Sequence, residues 1–170
     1  MEKYQVRSAG QAPFKLVKET EELGTLNYPN WYSTTEAEIQ VTGRGETMQL
    51  KAPGFWKNRL ELWQGENCII SSKIGWELSV AVYLNEREYL LRVKNLIRGI
   101  FVLQNEKNED LLHIDVNMDW LHAKAEFEIV VLRYPETFSP EILLFLIHNC
   151  NYFLALSGNG SFEASLAAAV

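Results

Sequence analysis

Short runs of alternating apolar and polar residues, separated by turn-forming residues, make up most of this sequence. In one such run Phe127, Ile129 and Val131 fall on one side, while Glu126 and Glu128 fall on the other. A period of two is typical of β-strands, and one apolar face is typical of antiparallel sheets that contact water on one side. The pattern predicts twelve strands: Tyr4–Ser8, Phe14–Lys18, Leu23–Tyr28, Ala37–Thr42, Thr47–Lys51, Lys57–Trp63, Cys68–Lys73, Trp76–Leu84, Glu88–Lys94, Ile100–Gln104, Leu111–Val116 and Ala125–Leu132.

The segment from Ser139 to Gly158 has a different pattern and predicts one helix over residues 140–156. Ser139 is a favourable N-cap, Pro140 suits the first turn of a helix, and Gly158 suits a C-terminal cap. Almost no polar face is present along this helix. A helix that is apolar on all sides is buried within protein or placed in a membrane.

Strands and helix together predict a mainly β fold: a closed antiparallel β-barrel of about twelve strands that encloses the C-terminal hydrophobic α-helix. Closure removes the exposed edges of a long meander, and about a dozen strands give a barrel wide enough to hold a helix. We expect a single domain over residues 1–158 and a C-terminal tail over residues 159–170.

From Tyr4 to about Leu156 this arrangement resembles the tubby-like fold, and in particular the LURP-one-related family, which includes small bacterial members. The resemblance is carried by repeated strand-turn-strand units, by two segments between those units and by the terminal hydrophobic helix. The units are Phe14–Leu26, Leu60–Ile70 and Phe101–Ile114, and the two segments are Gly54–Lys57 and Leu96–Ile100. The resemblance implies a twelve-stranded barrel around a central helix, and association with phospholipid as in tubby and scramblase relatives.

Composition narrows the classes of partner and compartment. The formal net charge is -6 at pH 7, so we do not expect nucleic acid as a partner, because phosphate binding needs a basic face. Two cysteines, Cys68 and Cys150, are too few for a disulfide framework. Residues 1–7 contain no apolar signal core, so we expect a cytoplasmic protein.

No catalytic motif is present in the sequence, and we expect no enzymatic activity, no cofactor and no metal site. His113, His122 and His148 lack the spacing of metal ligands. His148 interrupts the apolar helix together with Asn149 and Asn151, and buried polar groups need hydrogen-bond partners. These three residues lie at a barrel mouth or bond to backbone in one interpretation, and line a ligand site in the other.

Basic residues form two pairs that could hold phosphate. Lys57 and Arg59 are predicted to share one face of a strand, and Arg92 and Lys94 one face of another, because side chains two apart point the same way. These four residues are the candidate site for anionic lipid. A solvated barrel exterior is the other interpretation. The basic pair on an early strand of tubby proteins has no counterpart in Leu23–Tyr28, which contains no Lys or Arg.

An aromatic-rich segment, Asn27–Tyr32, either anchors the protein at a membrane interface or caps one end of the barrel.

The leading functional hypothesis is a non-enzymatic tubby-like module with a binding or regulatory role, whose partner is a phospholipid or membrane surface or an unknown protein. One alternative is a membrane-anchored, scramblase-like protein with its C-terminal helix inserted. Another is a small-ligand carrier or enzyme that uses a barrel mouth.

Overall fold

The computed structural model describes residues 1–8, 12–30, 34–75, 79–119, 124–133 and 138–156. Those residues form twelve β-strands and one α-helix. The elements are β1 (Glu2–Arg7), β2 (Phe14–Lys18), β3 (Glu21–Asn27), β4 (Glu36–Val41), β5 (Thr47–Lys51), β6 (Arg59–Gln64), β7 (Asn67–Ile74), β8 (Ser79–Leu84), β9 (Arg87–Asn95), β10 (Ile100–Gln104), β11 (Asp110–Asp119), β12 (Lys124–Val131) and α1 (Pro140–Leu156).

The strands form a closed antiparallel barrel in which each strand pairs with its neighbours in sequence. Closure is made by β1 and β12, which pair from Glu2 opposite Val131 to Arg7 opposite Glu126. Each backbone edge therefore has a partner strand, which removes the exposed edges of an open sheet. This arrangement confirms the predicted twelve-stranded closed barrel.

Nearly all the predicted strand boundaries lie within two residues of the observed ones, and three of them need a comment. Strand β6 begins at Arg59 and not at Lys57, because Lys57 has φ 51°, which is outside the extended region. Strand β11 continues to Asp119, since its hairpin with β12 pairs as far as Asp119 opposite Lys124. The predicted start of the eighth strand at Trp76 lies outside the described residues.

Connections alternate between the two ends of the barrel, because consecutive strands are antiparallel. We call the connections that follow odd-numbered strands the upper rim, described at residues 8, 12–13, 28–30, 34–35, 52–58, 75 and 96–99. The lower rim comprises the connections that follow even-numbered strands, and three of them are two-residue turns, at residues 19–20, 65–66 and 85–86. The two rims therefore differ in the length of their connections.

Helix α1 runs from the lower rim to the upper rim. At its start, Glu141 Oε1 lies 3.0 Å from Nη1 of Arg44 in the lower-rim connection between β4 and β5. Near its end, the Tyr152 hydroxyl donates a 2.5 Å hydrogen bond to the carbonyl oxygen of Lys57 in the upper rim. The amides of Ile142 and Leu143 both donate to the carbonyl oxygen of Ser139, as expected for an N-cap. The predicted C-terminal cap, Gly158, lies outside the described residues.

The barrel encloses this helix. Twelve consecutive residues, Leu143–Leu154, are each at most 5% exposed. Twelve residues make more than three helical turns, so every side of the helix over that length is covered. This confirms the prediction of a helix inside the barrel. Within the described chain, no helix combines the length and the apolarity that a membrane-spanning helix requires.

Close approach of the wall to the helix depends on Gly24 in β3. A Cβ atom at this position would lie 2.7 Å from the carbonyl oxygen of Gln40 and 3.2 Å from Cδ1 of Leu144. The first distance is too short for a carbon atom, and the Gln40 oxygen belongs to the backbone of β4. Glycine is therefore the residue that lets β3, β4 and the helix pack together at this point.

Candidate functional site

The four predicted site residues lie on one part of the outer surface of the barrel. Arg59 begins β6, Arg92 and Lys94 lie near the end of β9, and Lys57 lies in the upper rim. All four side chains are exposed. Since β6 starts at the upper rim and β9 ends there, the four residues share that end of the barrel.

The two predicted pairs have different local geometries. Arg92 and Lys94 do lie on the outer face of β9, because Tyr89 and Leu91 are buried on the inner face. The expectation that Lys57 and Arg59 share one face of a strand was wrong, because Lys57 precedes β6 and has φ 51°. The turn at Lys57 nevertheless keeps its side chain exposed beside the start of β6.

Strand register adds Lys73 to this set. Lys73 lies on β7 directly opposite Arg59, and on its other side it faces Ala81 of β8. Arg92 lies opposite Ser79 of β8. Only the small side chains of β8 therefore separate Lys73 from Arg92. Directly paired residues on neighbouring strands have Cβ atoms about 5 Å apart.

We call these five residues, Lys57, Arg59, Lys73, Arg92 and Lys94, the basic wall. Sequence reasoning missed Lys73, since cross-strand register cannot be obtained from alternation along one strand.

Two ion pairs partly neutralise the basic wall. Arg59 Nη2 lies 3.2 Å from Oε2 of Glu61, and Lys94 Nζ lies 3.9 Å from Oδ2 of Asp110. The Arg59 and Lys94 side chains are more than half exposed. Exposed pairs of this kind contribute at most about 1 kcal/mol, so an external phosphate can compete for the cations.

Charge is distributed unevenly over the chain. Residues 51–104, which include β6 to β10, contain eight Lys and Arg but only five Asp and Glu. The rest of the chain contains eight Lys and Arg and seventeen Asp and Glu. Two of those five acidic residues, Glu66 and Glu86, lie in lower-rim turns. Among the described residues near the upper rim, this part of the barrel therefore has more basic than acidic side chains, on a protein whose net charge is -6.

Large apolar side chains project from the upper rim next to the basic wall. Phe55 is 88% exposed, Trp56 is 81% exposed and Ile97 is 95% exposed. The rings of Phe55 and Trp56 pack edge to face with their centroids 5.2 Å apart. We call these three residues the apolar tip.

The connection that carries Phe55 and Trp56 is fixed to the core. Gly54 has φ 83° and Lys57 has φ 51°, so the backbone turns on both sides of the aromatic pair. A lysine in the left-handed region is strained by about 1–3 kcal/mol, which surrounding contacts must offset. The hydrogen bond from the buried Tyr152 side chain to the Lys57 carbonyl oxygen is such a contact.

A polar cluster lies between helix α1 and the wall near the upper rim. His148 Nδ1 lies 2.8 Å from the hydroxyl of Tyr28, and Asn151 Nδ2 donates to the same hydroxyl at 3.2 Å. Because the Tyr28 oxygen accepts from Asn151, its own proton is available for His148 Nδ1. The other ring nitrogen of His148, Nε2, is buried and has no partner among the described residues.

Burial sets the protonation of this cluster. It lowers the pKa of His148 from 6.5 to about 3, because the charged imidazolium would lose its hydration inside the barrel. Burial also raises the pKa of the Tyr28 hydroxyl and of the Cys150 thiol above their ordinary values. His148 is therefore neutral at pH 7.

Asn149, which interrupts the apolar helix together with His148 and Asn151, is hydrogen-bonded to the barrel wall. Asn149 Oδ1 accepts a 2.5 Å hydrogen bond from the Ser72 hydroxyl, and Asn149 Nδ2 donates to the carbonyl oxygen of Phe145 at 2.8 Å. Asn149 thus links β7 to the helix and also bonds to the helix backbone.

The other two histidines are separate from this cluster. His113 Nε2 lies 3.3 Å from Oδ2 of Asp110 on the outer surface, and His122 lies outside the described residues. Across the ranges that the structure describes, no three His, Cys, Asp or Glu side chains form a group suited to a metal ion.

Comparison with known proteins shows the fold alone. No family model and no curated protein matches the chain. Among solved structures, the X-ray structure of the protein AT5G01750 from Arabidopsis thaliana is similar, with a TM-score of 0.58 and 13% sequence identity. The match covers 89% of this chain and 91% of that chain. The two proteins therefore share an architecture over nearly their whole lengths.

Proposed function

We propose that this chain is a non-enzymatic, tubby-like binding module of the LURP-one-related type, and that it associates with anionic phospholipid through the basic wall. The closed twelve-stranded barrel and the enclosed helix support the choice of family. The enclosed helix also supports a module that binds at a surface over one that inserts this helix into the bilayer.

The observation that carries the proposal is the concentration of positive charge on one side of an acidic protein. Arg59, Lys73 and Arg92 extend across β6 to β9, and Lys57 and Lys94 lie closer to the upper rim. Each Lys or Arg near an anionic membrane contributes about 1 kcal/mol, so five such residues can outweigh the repulsion due to the net charge. Association would then fix the orientation of the protein.

The proposed site differs in position from the phosphoinositide site that the tubby resemblance implies. That site uses a basic pair on an early strand, whereas β3 of this protein, Glu21–Asn27, contains no Lys or Arg. The basic residues here are instead on β6, β7 and β9. The proposal therefore concerns a general anionic surface, and no specific phosphoinositide headgroup.

We expect the protein to float with vesicles that contain about one-third phosphatidylserine and to stay unbound with pure phosphatidylcholine vesicles. Binding should weaken as salt rises from 50 to 300 mM, because the Debye length falls below about 10 Å over this range. Co-flotation at each salt concentration checks this. Equal binding to both vesicle types, or binding that salt leaves unchanged, would contradict an electrostatic site.

A further inference from the structure

We infer that the apolar tip, Phe55, Trp56 and Ile97, enters the interfacial layer of the same membrane and fixes the barrel with its upper rim facing the bilayer. This inference rests on the proposed function, because it assigns the depth and orientation of that association. Side chains of the tip are among the most exposed large hydrophobic residues of the described chain. Such exposure in water is unfavourable unless a partner covers the residues.

Topology places all three residues at one end of the barrel. Phe55 and Trp56 follow β5, and Ile97 follows β9, so both connections lie in the upper rim. The β7–β8 connection separates them along that rim. Both connections therefore face the same end of the barrel.

The shape and charge of this end fit a bilayer. The tip residues lie in loops with more than 80% of their surface exposed, so their side chains are accessible to a soft layer at this end of the barrel. Lys57 follows Trp56 in the chain and Arg98 follows Ile97, and both are exposed. A cation next to each apolar group matches a boundary where phosphate lies above hydrocarbon, and Trp is enriched at that depth.

The connection to the core suits an anchor. Because the Tyr152 hydroxyl bonds to the Lys57 carbonyl oxygen, the aromatic pair is held by a residue of the enclosed helix. The turns at Gly54 and Lys57 keep both rings directed away from the barrel. This hydrogen bond restrains the backbone beside the aromatic pair, which lowers the entropic cost of binding.

Fluorescence of a site-specific probe can test insertion. Cys68 is exposed and Cys150 is buried, so Cys68→Ser gives a background in which one new cysteine can be labelled. We would attach an environment-sensitive fluorophore at Ile97→Cys and, as a control, at Gly45→Cys in the lower rim, where there is open space. With phosphatidylserine-containing vesicles we expect a blue shift and a severalfold rise in intensity at position 97, and no change at position 45.

The outcomes separate the two proposals. Protein that does not float with these vesicles would overturn both the proposed function and the inference. Protein that floats without a spectral change at position 97, or with equal changes at 97 and 45, would overturn insertion of the tip and leave the electrostatic association intact.

A double variant gives an independent readout. Phe55→Ser with Trp56→Ser should weaken vesicle binding roughly tenfold, since each ring that enters an apolar layer adds favourable transfer energy. Its melting temperature should stay near that of the wild type, because both side chains are exposed. The matched control is Tyr83→Ser with Leu132→Ser, which removes exposed apolar groups outside the upper rim. Equal weakening by both double variants would contradict a specific role for the tip.

Discussion

Leu146→Asp is expected to abolish cooperative folding of the barrel. Leu146 is fully buried within the part of the helix that the barrel covers on every side. An unpaired carboxylate there must either lose its hydration or take up a proton, and destabilisation beyond about 4 kcal/mol is expected, a large fraction of the 5–15 kcal/mol that stabilises a typical domain. Urea denaturation followed by circular dichroism measures the effect.

A control with the same charge at an exposed position shows whether burial is the cause of the destabilisation. Thr42→Asp adds the same charge at an exposed position in the lower-rim connection after β4 and should change the free energy of unfolding by less than about 0.5 kcal/mol. Removal of the whole helix tests the same packing in a second way. Truncation before Ser139 should give insoluble protein, because it leaves the barrel lumen unfilled. A truncated protein that stays soluble and melts cooperatively would show that the helix is dispensable to the barrel.

Mild acid is expected to destabilise the protein through His148. The pKa of His148 is about 3 in the folded protein and 6.5 when the residue is exposed, so the unfolded chain takes up a proton first as the pH falls. The free energy of unfolding should therefore be unaffected by this residue above pH 6.5. It should fall by about 2 kcal/mol between pH 6.5 and 5, and by about 4 kcal/mol by pH 3.

His148→Phe isolates this contribution because it removes the titrating group from the same site. The variant removes the hydrogen bond between His148 Nδ1 and the buried Tyr28 hydroxyl, which should cost about 1–3 kcal/mol at every pH. Its unfolding free energy should lack the additional fall between pH 6.5 and 5 that the wild type shows. Contributions that the two proteins share cancel in the difference. Parallel pH profiles for the two proteins would contradict the assignment.

The elements of this fold could be predicted from sequence because each has a local signal. Alternation in runs such as Phe127–Val131 gives the strands, and the apolar segment after Ser139 gives the helix. Closure followed from the need to cover a helix that is apolar on all sides. Short turns between alternating runs predict that strands adjacent in sequence also pair, which gives the strand order. The apolar surface of the helix predicts its position inside the barrel.

The site could be predicted only in part, since it depends on register between strands and on single backbone turns. Lys73 joins Arg59 through pairing of β6 with β7, which has no signature within either strand. Lys57 leaves the strand because of its positive φ. The sequence analysis noted the segments Gly54–Lys57 and Leu96–Ile100 only for their family resemblance. The exposure of Phe55, Trp56 and Ile97 within them is apparent only from the structure. In the aromatic segment Asn27–Tyr32, for which a membrane anchor and a barrel cap were the two interpretations, Trp31 and Tyr32 lie outside the described residues.

The hydrogen-bond partners of the buried polar residues could not be predicted from the sequence either. The positions of His148, Asn149 and Asn151 on an apolar helix showed that they need partners, but not which ones. Tyr28, in the connection after β3, and Ser72, on β7, provide them from more than seventy residues away in the chain.

The most direct test of the account compares two variants that lose the same four positive charges. One replaces Lys57, Arg59, Arg92 and Lys94 by Ser. The other replaces Lys3, Arg7, Lys15 and Arg133, which lie on or beside β1, β2 and β12 across the barrel. Each set is exposed and includes residues in surface ion pairs.

Flotation with phosphatidylserine-containing vesicles should separate the two variants. The first should lose association by a factor of roughly a thousand, at about 1 kcal/mol for each basic residue, whereas the second should retain most of its affinity. Both should melt within a few degrees of the wild type, because exposed ion pairs contribute little to stability. Equal loss in the two variants, or unchanged association in the first, would contradict a lipid-binding site on the basic wall.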